Sequence, residues 1–165
     1  MKLQFSLLLL ALLLTSSCGF HLRGSQSATS TTIARIAIND ASATGVGNEV
    51  KIQLNDAGTT IVASPDGTEF TLSLAEQLLN KSVLSVSAIT GKAEEYQLVL
   101  TVKMTVTGAD QTELLSGQQI RITRDYAFND EALLGSVSEQ RLLEQEMIRQ
   151  AASQIIRRLN ALTAR

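Results

Sequence analysis

The sequence predicts an α+β fold: a two-layer sandwich in which a roughly four-stranded antiparallel or mixed sheet carries two helices on one face. Three observations predict it. Residues 95–108, EYQLVLTVKMTVTG, alternate apolar and mostly polar side chains over a dozen positions, the period of a strand with one buried face. Residues 114–128, LLSGQQIRITRDYAF, follow after a short turn and read as its partner. From residue 143 onward, apolar residues recur at four-residue steps, a broad helical stripe of the kind that covers a sheet.

Taken in order, the first element is IARIAI, residues 33–38, a short strand with Ile36 and Ile38 on one face with Ala34. NDASATGVGN follows as a loop. Residues 48–58, NEVKIQLNDAG, suit a helix: Asn48 is a capping residue, Val50 and Leu54 stand four apart, and Gly58 ends it. TTIVA, residues 59–63, is a second strand. SPDG, residues 64–67, is a turn, because Pro65 presets its own φ and Asp66 and Gly67 tolerate the remaining bend. EFTLSLA and SVLSVSAI flank EQLLNK, either as one long bent strand or as a strand with a bulge; periodicity alone leaves both open.

The long strand comes next, entered through the hairpin turn TGK, residues 90–92. Tyr96, Leu98, Leu100, Val102, Met104 and Val106 point one way; Gln97, Val99, Thr101, Lys103, Thr105 and Thr107 point the other. TGADQT turns the chain back. On the returning strand Ile120, Ile122, Tyr126 and Phe128 share a face that Arg124 interrupts. SVSE, residues 136–139, fits a capping box at the start of the last helix. Leu143, Met147, Ala151, Ile155 and Leu159 then form its stripe, widened by Ile148, Ala152, Ile156 and Leu162. Arg157, Arg158 and Arg165 gather where the helix dipole favours cations.

The first 32 residues read differently. Lys2 and the apolar run of residues 3–14, followed by Thr15, Ser16 and Ser17, have the form of an export signal over residues 1–17. The run is shorter than the roughly 20 apolar residues a membrane span needs. Cys18, the only cysteine, follows the small residues directly, and the junction resembles the bacterial lipobox, with Thr15 where that pattern prefers leucine. The resemblance implies that Cys18 carries a diacylglycerol thioether and an N-acyl chain. At about 0.8 kcal/mol per buried methylene, three chains hold a protein on its membrane stably. Lipidation also accounts for a lone cysteine in an oxidising compartment, where thiols are otherwise paired. Gly19 in place of Asp implies, by the same resemblance, sorting to the periplasmic side of the outer membrane. Residues 18–32, ending in GSQSATSTT, read as a lipidated start and a flexible tether. Residues 33–165 are the right length for one domain.

Composition narrows the function. Fourteen Lys and Arg against sixteen Asp and Glu give a formal charge of −2, which argues against a nucleic-acid partner. The sole histidine, His21, lies three residues from the anchor, so no nucleophile–base pair is in prospect. Glu94, Glu95, Asp125 and Asp130 read as solvated acids rather than metal ligands, and TGVGNE lacks the lysine of a phosphate loop. No enzyme activity, cofactor or metal is expected.

Four segments carry a family resemblance. CGFHLRG (residues 18–24), AEEYQLVLTVKMTV (93–106), RDYAFND (124–130) and EQEMIRQAASQIIRRL (144–159) resemble the anchor, long strand, last strand and last helix of the LPS-assembly lipoprotein LptE family. The resemblance implies a lipoprotein that plugs and helps assemble the LptD β-barrel as a heterodimer and takes part in delivering lipopolysaccharide to the cell surface. The alternative is a generic outer-membrane lipoprotein, a scaffold or pilotin for another envelope complex. Gln97, Thr101, Thr105 and Thr107, on the wet strand face, are the candidate partner surface, since hydroxyls and amides suit a polar barrel lumen. Lys81, Lys92 and Lys103 are the candidate lipopolysaccharide-binding residues, since phosphates seek cations. The family also carries a basic residue near the start of the last helix; here Ser136 stands about there.

Overall fold

In the computed structural model, residues 33–129 and 133–163 are described. The proposed signal, Cys18, His21 and the tether lie outside those residues, as do Asp130 and Arg165. Seven elements follow one another: β1 (Arg35–Asn39), α1 (Thr44–Asp56), β2 (Thr60–Val62), β3 (Phe70–Val86), β4 (Ala93–Gly108), β5 (Glu113–Ala127) and α2 (Leu133–Thr163). They build the expected α+β sandwich, with five strands rather than about four, in the order β2-β1-β3-β4-β5. β1 runs parallel to both β2 and β3, while β3, β4 and β5 form an antiparallel meander. The parallel pairs need a crossover, which α1 supplies.

The core lies between the sheet and the two helices. Leu98, Leu100, Val102, Met104 and Val106 of β4, Leu72 and Leu74 of β3, and Ile120, Ile122 and Tyr126 of β5 are buried against Met147, Ala151, Ala152, Ile155, Ile156 and Leu159 of α2. Val46, Val50 and Leu54 of α1 close the same core over Ile36. The helices also touch each other, with Ser153 donating to Gln53 Oε1 at 3.0 Å. Arg124 breaks the apolar face of β5 without leaving it empty: its guanidinium reaches Gln150 Oε1 of α2 at 2.6 Å and Glu146 at 3.7 Å.

The region between residues 69 and 89 resolves into one strand with a bulge. β3 changes register against β4 between Ala75 and Leu78, and Glu76 there takes φ 52°. β1 pairs with β3 only over Phe70–Ser73 and then turns away. The sheet therefore has two unlike ends. At its base, where β1 and β3 begin, strands and helices are stacked. At its tip, the β3–β4 hairpin runs on to the turn at residues 87–92, closed by Ser87 N–H donating to Lys92 O at 2.8 Å.

Two helix starts differ from the expected ones. α1 begins at Thr44, before Asn48, with no capping side chain of its own. Instead Gln77, on the β3 bulge, accepts from the Val46 N–H at 2.9 Å. This cap comes from 31 residues away, so no local pattern announces it. The end of α1 is as expected: Gly58, at φ 88°, donates to Asn55 O and Thr59 to Leu54 O, a Schellman closure. α2 is helical from Leu133, so SVSE is not a capping box. Ser136 is buried inside the helix, where its hydroxyl accepts from Asn129 N–H at 3.3 Å and holds the connection from β5.

Candidate functional site

Two surfaces stand out from the fold: the helix-free face of the sheet and the hairpin end. Period-two alternation puts Gln97, Thr101, Thr105 and Thr107 together on the helix-free face, as expected. The register extends this face sideways: Thr107 pairs with Thr71, Thr105 with Ser73, Thr101 with Leu78 and Arg121, and Gln97 with Ser82 and Asp125. Gln97 Nε2 donates to Asp125 Oδ1 at 3.0 Å. Thr105 Oγ1 accepts from the Gly117 N–H at 3.1 Å, across the β4–β5 bulge. Thr101, flanked in register on both sides, is only 7% exposed. The result is a broad sheet surface dominated by hydroxyls and amides, with both helices on its other side.

The three candidate lysines do not share one site. Lys103 lies on the helix-free face and pairs with Glu76 Oε2 at 2.6 Å. Lys92 sits in the hairpin turn at the tip, its N–H donating to Thr90 Oγ1 at 3.4 Å. Lys81 lies on the opposite side of the sheet from Lys103, because it pairs with Leu98 whereas Lys103 shares the face of Thr101. Its ammonium is 4.0 Å from the ring centre of Tyr96, 5.4 Å from Tyr126 and 5.8 Å from Phe128. It also donates to Gln140 Oε1 of α2 at 2.8 Å.

The rings around Lys81 are themselves ordered. Tyr96 stacks on Tyr126 with centroids 5.9 Å apart and meets Phe128 edge-on at 5.3 Å. Tyr126 Oη donates to the same Gln140 Oε1 at 2.8 Å, and Gln140 Nε2 donates to Glu144 at 2.7 Å. One glutamine thus links β3, β5 and α2. The sequence reading placed these rings on strand faces without joining them to Lys81. The signal was present in the shared parity of Tyr96, Tyr126 and Phe128; the register that brings Lys81 over them was not.

A second feature escaped the sequence reading. From Leu78 to the hairpin, β3 leaves its apolar side chains uncovered: Leu78, Leu79, Val83, Leu84 and Val86 are 42% to 58% exposed, and Ile89 at the turn is almost fully so. LLNKSVLSV shows apolar residues of both parities, which is the trace such a ribbon leaves. Among the described residues there is no group of three or more His, Cys, Asp or Glu able to hold a metal, and no helix is long and apolar enough to cross a membrane.

Comparison with known proteins agrees with this architecture. A chain from Nitrosomonas europaea, solved in solution as uncharacterized lipoprotein B, superposes with a TM-score of 0.73 at 29% identity, covering 88% of this chain and 93% of that one. The rare lipoprotein B from Shewanella oneidensis shares the fold with a TM-score of 0.68 at 24% identity, covering 79% of this chain and 96% of that one. In sequence, the LPS-assembly lipoprotein LptE of Photorhabdus laumondii is 32% identical over 154 residues, 93% of this chain and 82% of that protein. That of Pectobacterium atrosepticum is 31% identical over 164 residues, 94% of this chain and 84% of that protein. The profile of the LptE family, described as lipopolysaccharide-assembly, spans residues 31–159, from the approach to β1 to the last turns of α2. A five-stranded mixed sheet under two helices, matched along almost all of its length, makes this chain a member of the LptE lipopolysaccharide-assembly family.

Proposed function

We propose that this chain is an outer-membrane lipoprotein, acylated at Cys18 and facing the periplasm, that plugs and helps assemble an LptD-like β-barrel and so takes part in delivering lipopolysaccharide to the cell surface. Residues 1–17 are its signal, 18–32 its tether and 33–165 its one domain. It acts by occupying space and binding, not by catalysis. The observation that carries the reading is the helix-free face: Gln97, Thr101, Thr105 and Thr107 lie together on a broad surface of short polar side chains. A barrel lumen is lined with polar groups, and a rigid sheet of hydroxyls and amides supplies donors and acceptors to pair with them. The names of the relatives, LPS-assembly lipoproteins, support the same process.

For lipopolysaccharide itself, Lys81 lies toward the hairpin end, where Lys92 also sits, and has an amide and aromatic rings as its partners, whereas Lys103 pairs with the Glu76 carboxylate. Phosphate contact is therefore assigned to the hairpin end rather than to the helix-free face.

The test is to purify the tagged full chain in mild detergent and to deplete it in cells. The expected result is a one-to-one complex with a large outer-membrane barrel, and loss of surface lipopolysaccharide with failure of that barrel to mature. A chain recovered alone, or depletion that leaves surface lipopolysaccharide intact, overturns the reading and favours a scaffold or pilotin of another envelope complex. Mass spectrometry of the mature N-terminus checks the anchor: a bare Cys18 thiol would remove it.

A further inference from the structure

β3 has one side hydrogen-bonded along its whole length and the other side left open over half of it. Toward β4 the pairing runs from Phe70 to Val86. Toward β1 it covers Phe70–Ser73 only. The last backbone contact on that side is Gln77 N–H to Ser42 O at 3.4 Å. Among the described residues no strand lies beside residues 78–86 on that side. That free edge is nine residues long, about 30 Å at the usual rise per residue.

Open edges are normally defended, by charge, proline, brevity or a bulge that turns them away. The other edge of this sheet, β5, is defended in that manner: it carries Arg121 and Asp125, and Gly117, at φ 52°, sits in its bulge. The β3 edge is defended less: its register shifts against β4 fall at Val83–Val86, nearest the turn, and from Leu78 to Val83 it is regular, with no proline, one lysine, and apolar side chains exposed on both of its faces. An incoming strand would satisfy its backbone groups and pack on those side chains at once.

We propose that residues 78–86 accept an extended segment of the barrel partner as an added strand of this sheet; the inference rests on the barrel-plug reading above and names the mode of contact. Two observations choose this occupant. The edge is continuous with the helix-free face, since Leu78 pairs with Thr101 and Ser82 with Gln97. A partner seated on that face therefore presents its segment at high effective concentration. A second copy of the chain has no such help: two β3 edges would meet along a strip about 30 Å long and one strand (~5 Å) wide, little beside the roughly 800 Å² per partner of a stable complex. The chemistry of the segment also follows. Lys81 is the only charge on the edge, and among the described residues its partners are Gln140 and the aromatic rings, with no carboxylate. The segment that fits is extended and mostly apolar, with no cation beside Lys81.

Proline substitution tests this, because successive residues of a strand direct their N–H groups to opposite sides. Of Asn80→Pro and Val83→Pro, which differ in parity, one removes a donor from the β4 ladder and the other from the free edge. The edge variant is the one that keeps the wild-type melting temperature and circular dichroism. In the full chain, expressed with its barrel, that variant is expected to lower the yield of co-purified barrel at least tenfold. If both prolines unfold the domain, Leu84→Lys, which charges the edge, is expected to have the same effect. A folded edge variant that recovers barrel at the wild-type level, beside a wild-type control that also does, overturns the inference and leaves the plug reading intact. A wild-type chain that recovers no barrel defeats the plug reading itself and the inference with it. A wild-type dimer in light scattering that the edge variant abolishes assigns the edge to a second copy and overturns the inference.

Discussion

Lys81 Nζ stands 4.0 Å above the ring of Tyr96 and 2.8 Å from Gln140 Oε1, so a lysine on β3 is held by β4 and α2 together. The contact lies at the rim of the main apolar core, in the stretch where β3 has lost β1 as a neighbour. It fastens the projecting half of the hairpin to the helix layer.

A double-mutant cycle measures this fastening. Lys81→Met keeps the stem and removes the cation; Tyr96→Leu removes the ring face. Each is expected to lower unfolding stability, Lys81→Met by about 0.5–1 kcal/mol, the range of exposed cation–π contacts. The double variant is expected to lose less than the sum in urea denaturation. Strict additivity would show that the two side chains do not interact.

Burial sets a second contrast. Leu98 is fully buried between sheet and helices, so Leu98→Ala is expected to cost about 2–5 kcal/mol. Leu142, on the same molecule but 65% exposed, is expected to tolerate alanine within about 0.5 kcal/mol. Equal losses in chemical denaturation would mean that α2 presents a different face to the sheet.

Gly117 offers a test of backbone geometry. It lies at φ 52° in the β5 bulge, and a Cβ built there meets nothing within 4 Å. Gly117→Ala is therefore expected to cost about 1 kcal/mol through conformation alone. The measurement is the unfolding midpoint in urea, with the slope unchanged.

Asp110 sets a small acid-side dependence. Its carboxylate accepts from the Thr112 hydroxyl at 2.7 Å and from the Thr112 N–H at 3.0 Å, and these bonds, the hydroxyl first, hold its pKa below the ordinary value. A folded pKa below the unfolded one means stability that is fully present above the unfolded pKa and is lost as pH falls through the folded one. Thr112→Val keeps the N–H bond and removes the hydroxyl one, so it is expected to flatten the acid limb of the stability profile below about pH 4, with the loss at neutral pH that of this one hydrogen bond. An acid limb identical to that of the wild type would show that the turn does not hold the carboxylate.

The helix-free face gives the functional prediction. Thr107→Arg places a long side chain on that face between Thr71 and Glu113, away from both helices. Melting temperature is expected to change little, while recovery of the barrel partner falls several-fold. A variant that binds as the wild type does would move the docking surface elsewhere.

Much of this was readable from the chain. The alternation of residues 96–107 identified β4, its buried side and its wet side, because a strand surrounded by neighbours has to segregate its faces. The four-residue steps of α2 identified its buried stripe for the same reason, and Gly58 marked the end of α1 because only a left-handed residue closes that turn without strain. The legible features are those whose physics is local or periodic.

What local pattern could not reach depended on residues far apart in the chain. α1 starts at Thr44, where Gln77 caps it, and Ser136, inside α2, accepts from Asn129 rather than capping the helix. The candidate lysines were proposed one by one; the register of β3 on β4 sent Lys103 to one face, paired it with Glu76, and sent Lys81 to the other, over Tyr96. The bulge at Glu76 and the early departure of β1 left half of β3 with an open edge, a fact about neighbours and not about composition. The sequence by itself determined which residues are strand and helix and which sides of them avoid water, since hydrophobic burial is written in the period. The tertiary structure decided which strands meet, which cations find partners and which edge stays bare, because pairing depends on contacts closed across loops whose residues carry no mark of it.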